Sequence, residues 1–365
     1  MTIRFLPILL VFVSALAGAE HWDIQYQYKQ LDSILTLNDL AFPSANRGIA
    51  CGFTLDRKGR DHPFLVATSD GGTRWTEVPV KDTGISLFFL DDSNGWMVTA
   101  KGLWYTAESG RSWTHLKAPA GFLKVWFLDR QHGFGVGLDK NISETTDGGD
   151  TWKRLAILSE ISGDPKFTTF GEITFRGARG SISGWNIPPR KGGPDWMEGD
   201  KQGGQRQWPN LSITVDTIDG GKTWSKTEAS IFGQVTRLDL GKDGLGVGLI
   251  EFHDAFEYPS EIYAFNTKVG RMRRIYRETD RAITDIKQIP GTERVIIAGF
   301  EAAGTIYRSP IPGKLKVIAT DDLKIWYEME VDYRAVAKTA MLAAPDATHA
   351  WIGTDTGMIL KLIND

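Results

Sequence analysis

The chain has 365 residues, 41% of them hydrophobic, with forty glycines, thirteen tryptophans and a single cysteine. Its net charge of −3 excludes a wholesale electrostatic grip on nucleic acid. One cysteine excludes a disulfide framework, so stability has to come from buried apolar surface, and the glycines and tryptophans suit many tight turns between packed sheets.

Residues 1–19 read as a secretory signal: Arg4, an apolar run from Phe5 to Ala17, and the small residues Ala17, Gly18 and Ala19 before Glu20. The run is short for a membrane span, and no cysteine follows the cleavage site as a lipoprotein anchor would need. The mature chain, 20–365, is expected to be one exported domain, periplasmic or extracellular, with no stable membrane anchor.

Trp22 to Lys29 (WDIQYQYK) alternates apolar and polar like a strand but precedes the first full unit. That unit is set by a recurring turn, hydroxyl-x-acid-x-Gly-x-hydroxyl-Trp. It is complete at Thr145 to Trp152 (TTDGGDTW) and Thr217 to Trp224 (TIDGGKTW). Thr68 to Trp75 (TSDGGTRW) lacks the second hydroxyl, Thr106 to Trp113 (TAESGRSW) carries Glu108 in place of Asp, and Ala319 to Trp326 is a decayed copy. An acid followed by glycines makes a turn in which the carboxylate caps backbone N–H groups and a Gly takes positive φ; the Trp then opens a strand. Asp70, Glu108, Asp147 and Asp219 are accordingly read as structural, and so are Trp75, Trp113, Trp152 and Trp224.

Ahead of Thr145 lie three short runs, Leu123 to Asp129, His132 to Gly137 and Asn141 to Glu144, which with Trp152 to Leu155 make four strands in about forty residues. That is the pattern of one propeller blade. The phrase VWFLDRQHGFGVG followed by TTDGGDTW resembles the repeat of the photosystem II stability/assembly factor-like propellers, and the eight-residue turn resembles the Asp-box (BNR) repeat of sialidase-type propellers. The resemblance covers about residues 38 to 240.

Blade 1 is expected from Ile34 to Val80, blade 2 from Ile85 to Ala118, blade 3 from Phe122 to about Ile157, and blade 4 from near Phe167 to the turn at Trp224. Blade 5 has Val235 to Leu240, Gly244 to Phe252, Glu261 to Asn266 and Arg271 to Arg277, without an Asp-box, and blade 6 covers about Ala282 to Met329. The last stretch offers only three strands, Thr339 to Ala344, His349 to Gly353 and Gly357 to Ile363, so Trp22 to Lys29 should supply the missing fourth and close the ring. The fold class is thus all-β, a single seven-bladed β-propeller of four-stranded antiparallel blades. Residues 300 to 335 are hard to phase, which leaves six or eight blades open.

Asp-boxes sit on the turn between third and fourth strands, so the loops between second and third strands emerge on the opposite face, where function is expected. Two are long and belong to neighbouring blades. The insertion at about 186–210 carries Arg190, Lys191, Trp196, Arg206 and Trp208, and Glu251 to Glu261 carries His253, Asp254 and Tyr258. A basic, Trp-bearing loop beside an acidic, aromatic one frames a cleft for a polar ligand or a partner surface; a solvated insertion is the plain alternative.

No Phe/Tyr-Arg-Ile/Leu-Pro segment, the usual first-arginine motif of sialidases, occurs in the mature chain, so no catalytic residue is assigned. Two carboxylates across the central channel stay open as another glycosidase arrangement. The six histidines have no metal-ligand spacing, and neither metal nor cofactor is implied. Arg271, Arg273, Arg274 and Arg277 fall on an outermost strand, where charge guards a sheet edge or forms a docking patch. Cys51 reads as a buried structural residue. The assembly-factor resemblance implies a non-enzymatic exported scaffold for a protein or peptide partner, which in photosynthetic members is a photosystem II reaction-centre precursor. The sialidase-like resemblance implies an extracellular glycan-binding protein or glycosidase.

Overall fold

A computed structural model describes residues 20–189, 209–241, 244–252, 258–268, 270–301 and 312–364. The chain forms seven sheets, six of them antiparallel with consecutive strands laid side by side and the seventh combining strands from both ends. The innermost strands are Ser33–Ala41, Gly84–Phe89, Phe122–Phe127, Thr168–Arg176, Gln234–Leu240, Arg281–Gln288 and Ala340–Ala343. Each lies against the innermost strand of the next sheet, and the last lies against the first, so the ring is closed. The expected seven-bladed propeller is what forms.

Closure falls to the N-terminal strand, as expected. His21–Gln27 pairs antiparallel with Met358–Ile363 and completes blade 7 outside Ala340–Ala343 and Trp351–Thr354. Its other edge takes the short strand Glu330–Val331 in parallel, which the sequence reading did not foresee. Trp22 is fully buried, its indole N–H 3.4 Å from the Met329 sulfur. Arg294 of blade 6 holds the Glu20 carboxylate at 2.8 Å, which keeps that acid ionised below its usual range.

Between blades the wedges are filled by flat rings. Trp96 of blade 2 stacks on Phe127 of blade 3 at 3.7 Å, Phe134 of blade 3 on Phe175 of blade 4 at 5.4 Å, and Trp351 of blade 7 on Phe42 of blade 1 at 3.7 Å. The Asp-box tryptophans meet these rings edge-on: Trp152 lies 6.2 Å from Phe127, and Trp224 5.3 Å from Phe134. Burying each such ring contributes several kcal/mol, the order of 2–3 for the removed area. Between blades 5 and 6 aliphatic side chains do the same, with Val247, Leu249 and Ile262 against Ile283, Ile286 and Ile297. Cys51 is fully buried in blade 1, and burial pushes its thiol pKa up.

One irregularity recurs along the channel. Six of the seven innermost strands carry a β-bulge at the same place, between Leu37/Asp39, Gly84/Ser86, Phe122/Lys124, Phe170/Glu172, Val235/Arg237 and Ile283/Asp285. The extra residue bends the strand and presses backbone onto its partner. A Cβ at Gly137 would sit 2.0 Å from the Gly121 carbonyl oxygen, and one at Gly52 would sit 2.0 Å from that of Thr36, so glycine stands opposite those bulges.

Candidate functional site

The Asp-box corners are built as turns. In blade 3 the Thr145 hydroxyl accepts from Gly149 N at 3.0 Å and donates to Asp147 Oδ1 at 2.8 Å. Asp147 in turn accepts the Thr151 hydroxyl at 2.5 Å and the Thr151 N–H at 2.9 Å, and these bonds hold its pKa down to about 2. Gly148 and Gly149 have φ of 81° and 106°, which a Cβ would oppose. Thr217, Asp219 and Thr223 repeat the pattern in blade 4, with Asp219 also held at about 2, and Thr68 with Asp70 repeats it in blade 1. Glu108 serves blade 2 by accepting from the Ser112 hydroxyl at 2.8 Å. The decayed copy is rephased: Thr320, not Ala319, takes the first place, with Asp322 capping Lys324 and Ile325 at 2.8 Å and Leu323 at φ 57° where blades 1, 3 and 4 have Gly and blade 2 has Ser109 at φ 56°. Every capping oxygen is used within its own turn. None of these acids lines the channel.

Of the binding residues expected from the sequence, Arg190, Lys191, Trp196, Arg206, Trp208, His253 and Asp254 lie outside the described residues. Tyr258 is described: the Arg277 guanidinium lies over its ring at 4.1 Å. Glu261, at 3% exposure, is not a loop residue; it sits in the strand Ser260–Asn266, where it accepts from the Tyr263 hydroxyl at 2.6 Å and pairs with Arg277 and Arg274. The arginine run on Arg271–Arg277 therefore divides, with two arginines neutralising a buried acid while Arg271 and Arg273 stay exposed. The stem of the long insertion is pinned by Asn186, whose amide donates to the Thr168 hydroxyl at 2.8 Å and to the Asp164 carbonyl at 3.1 Å. Blades 4 and 5 also carry outer strands of seven residues, Ser225–Ile231 and Arg271–Arg277, where blades 1 to 3 have two or three. The two long loops thus stand on two full-width sheets.

The central channel holds a cavity of about 350 Å³ whose wall carries four carboxylates and three cations. The residue that follows the bulge reaches the next blade in five of the six strands, and in blade 4 Glu172 is reached from the blade before it. Asp39 Oδ2 accepts from Leu87 N at 2.7 Å, and Ser86 donates to the Leu123 carbonyl at 2.6 Å. Lys124 meets Glu172 at 2.7 Å, Arg237 meets Asp285 at 3.1 Å, and Asp285 accepts from Leu342 N at 2.7 Å. One layer on, Lys287 pairs with Asp239 at 3.2 Å. Burial raises the Asp39 carboxyl from its usual range, although water reaches it along the channel. The sequence reading left channel acids unranked and missed this ring. Its signal was one polar residue, placed before an apolar one, at the same point of each innermost strand: Asp39-Leu40, Ser86-Leu87, Lys124-Val125, Glu172-Ile173, Arg237-Leu238 and Asp285-Ile286. Among the described residues no group of His, Cys, Asp or Glu is placed to hold a metal ion.

Fold and corners together define a seven-bladed propeller of Asp-box type. A family model described as "Photosynthesis system II assembly factor YCF48" matches residues 114–197, which bears out the resemblance carried by the repeat. The curated "Photosystem II assembly lipoprotein Ycf48" of Synechococcus sp. (strain CC9902) is 26% identical over 179 residues, 43% of this chain and 53% of that protein. The chain spans about half the length of the curated relatives it matches. Among solved structures, "YCF48 bound to D1 peptide" is 15% identical with a TM-score of 0.62, covering 94% of this chain and 97% of that one. A GH74 xyloglucanase from Xanthomonas campestris is 12% identical with a TM-score of 0.63, covering 93% of this chain and 53% of that one. At such identities both likenesses speak for the fold alone.

Proposed function

We propose that this chain is an exported, non-enzymatic propeller that holds an extended segment of a protein partner on the loop face of blades 4 and 5, in the manner of an assembly factor. The family match over residues 114–197 carries the reading, since that stretch runs from the outer strand of blade 2 into the long insertion of blade 4. The curated relatives are named as assembly proteins, and one solved relative is described as bound to a D1 peptide. The two full-width sheets beneath the long loops support the location, and the leader-like residues 1–19 support export. Three of the channel carboxylates are matched to cations and Asp39 accepts two backbone N–H groups, an arrangement suited to tying blades together rather than to acid–base chemistry on a glycoside.

The test is a binding titration with extended peptides, D1 peptides among them, together with a broad glycoside screen. Saturable peptide binding that disappears when residues 186–210 or 251–261 are shortened, with no glycoside turned over, is the expected result. Turnover abolished by one carboxylate substitution would overturn it in favour of a glycosidase.

A further inference from the structure

The channel ring has one vacancy of charge. Asp285 and Asp39 are held alike: each accepts the N–H of its own following residue, Ile286 at 2.9 Å and Leu40 at 2.8 Å, and the N–H of a residue in the next blade, Leu342 and Leu87, both at 2.7 Å. Asp285 has a third partner, the guanidinium of Arg237 from the blade before it. Glu172 likewise takes Lys124 from the blade before it. For Asp39 the preceding blade is blade 7, and the residue at the matching place is Met341. The register establishes the match, because Met341 lies opposite Gly353 as Arg237 lies opposite Leu249 and Asp285 opposite Ala298. Met341 lines the cavity beside Asp39 and has no charge to give.

We propose that the channel takes an organic cation, a guanidinium or alkylammonium headgroup, on Asp39, in the place that Arg237 fills at Asp285. Four carboxylates face three cations, and Lys124, Arg237 and Lys287 are each engaged by an acid of their own, which leaves one negative charge unanswered in a cavity of about 350 Å³. Lys124 and Arg237 act on Asp39 only through space. A carboxylate with two lone-pair sites spent on backbone N–H groups keeps the others for a forked donor, whereas a bare metal ion would want several oxygen ligands at once.

Calorimetric titration with free arginine, and with citrulline as its neutral isostere, tests this. Arginine should bind saturably and citrulline should not, and Asp39→Asn should weaken arginine at least tenfold while Asp70→Asn, in a remote turn, leaves it unchanged. Met341→Arg should supply the missing cation from within and abolish binding; if that variant does not fold, Asp39→Asn decides alone. Equal affinity in Asp39→Asn, equal binding of citrulline, full competition by potassium ions, or no saturable arginine binding would each overturn the assignment. The loop variants leave this site intact, so its failure and that of the peptide-holding reading are distinguishable.

Discussion

Blades 1 to 3 and blades 4 to 5 share one sheet plan yet finish it differently. In the first group the outer strand is two or three residues long and the Asp-box turn ends the sheet against a flat ring: Trp75 on Phe42, Trp113 on Phe89, Trp152 on Phe122. In the second group the outer strand runs seven residues and pairs along its length, from Asn210↔Ile231 to Asp216↔Ser225 in blade 4 and from Glu261↔Arg277 to Asn266↔Arg271 in blade 5. Blade 4 keeps the Asp-box and still has the long strand, so the turn does not set the width. Loop length does not set it alone either, because blade 6 has a connection of similar length between Val295–Glu301 and Gly313–Thr320 and yet an outer strand, Tyr327–Glu328, of two residues.

The contrast can be broken from either side. The largest effect is expected at Trp96→Ala, which removes a fully buried ring from its stack on Phe127 and its N–H bond to the Gly148 carbonyl; about 4 kcal/mol should be lost in a urea titration. In the wide group the comparable break is electrostatic. Glu261→Gln removes the buried acid that Arg277 and Arg274 face, and because those arginines reach solvent about 2 kcal/mol should go, with the loop face loosened in hydrogen exchange ahead of the rest. Gly137→Ala in blade 3 should cost about 2 kcal/mol, because the new Cβ meets a carbonyl oxygen across the bulge, whereas blade 5 already tolerates Ile250 at that place. Thr145→Ala should cost about 1 kcal/mol through loss of the Gly149 N–H cap.

The smallest effect is a pH slope. Asp147 and Asp219 have folded pKa values near 2, below the unfolded value of about 3.9. Their contribution is therefore complete above the unfolded value and lost as pH falls toward about 2. An Asp147→Asn, Asp219→Asn double variant should flatten the acid limb of a urea midpoint plotted against pH.

Blade boundaries were legible wherever turn chemistry punctuated the chain, and Arg271–Arg277 and the closing strand were read correctly even without an Asp-box, because alternation and the rule against a free edge suffice there. The decayed copy was misphased by one residue, since Leu323 at positive φ hides the glycine that would have marked it. Glu261 was read both as the end of the loop and as the start of the strand Glu261 to Asn266; the strand reading holds, and the two arginines opposite explain the burial of its charge. The channel ring escaped notice for a different reason. Lys124 or Arg237 alone looks like an ordinary solvated charge in a strand, and its meaning emerges only when seven strands are superimposed around an axis.

The pairing of His21–Gln27 with Met358–Ile363 also bears on how this molecule is made. Among the described strands this pairing joins the two that lie farthest apart in sequence, and contacts of such long range form slowly. Until that clasp shuts, blade 7 is an open seam, and the same seam is where the finished ring is expected to breathe first.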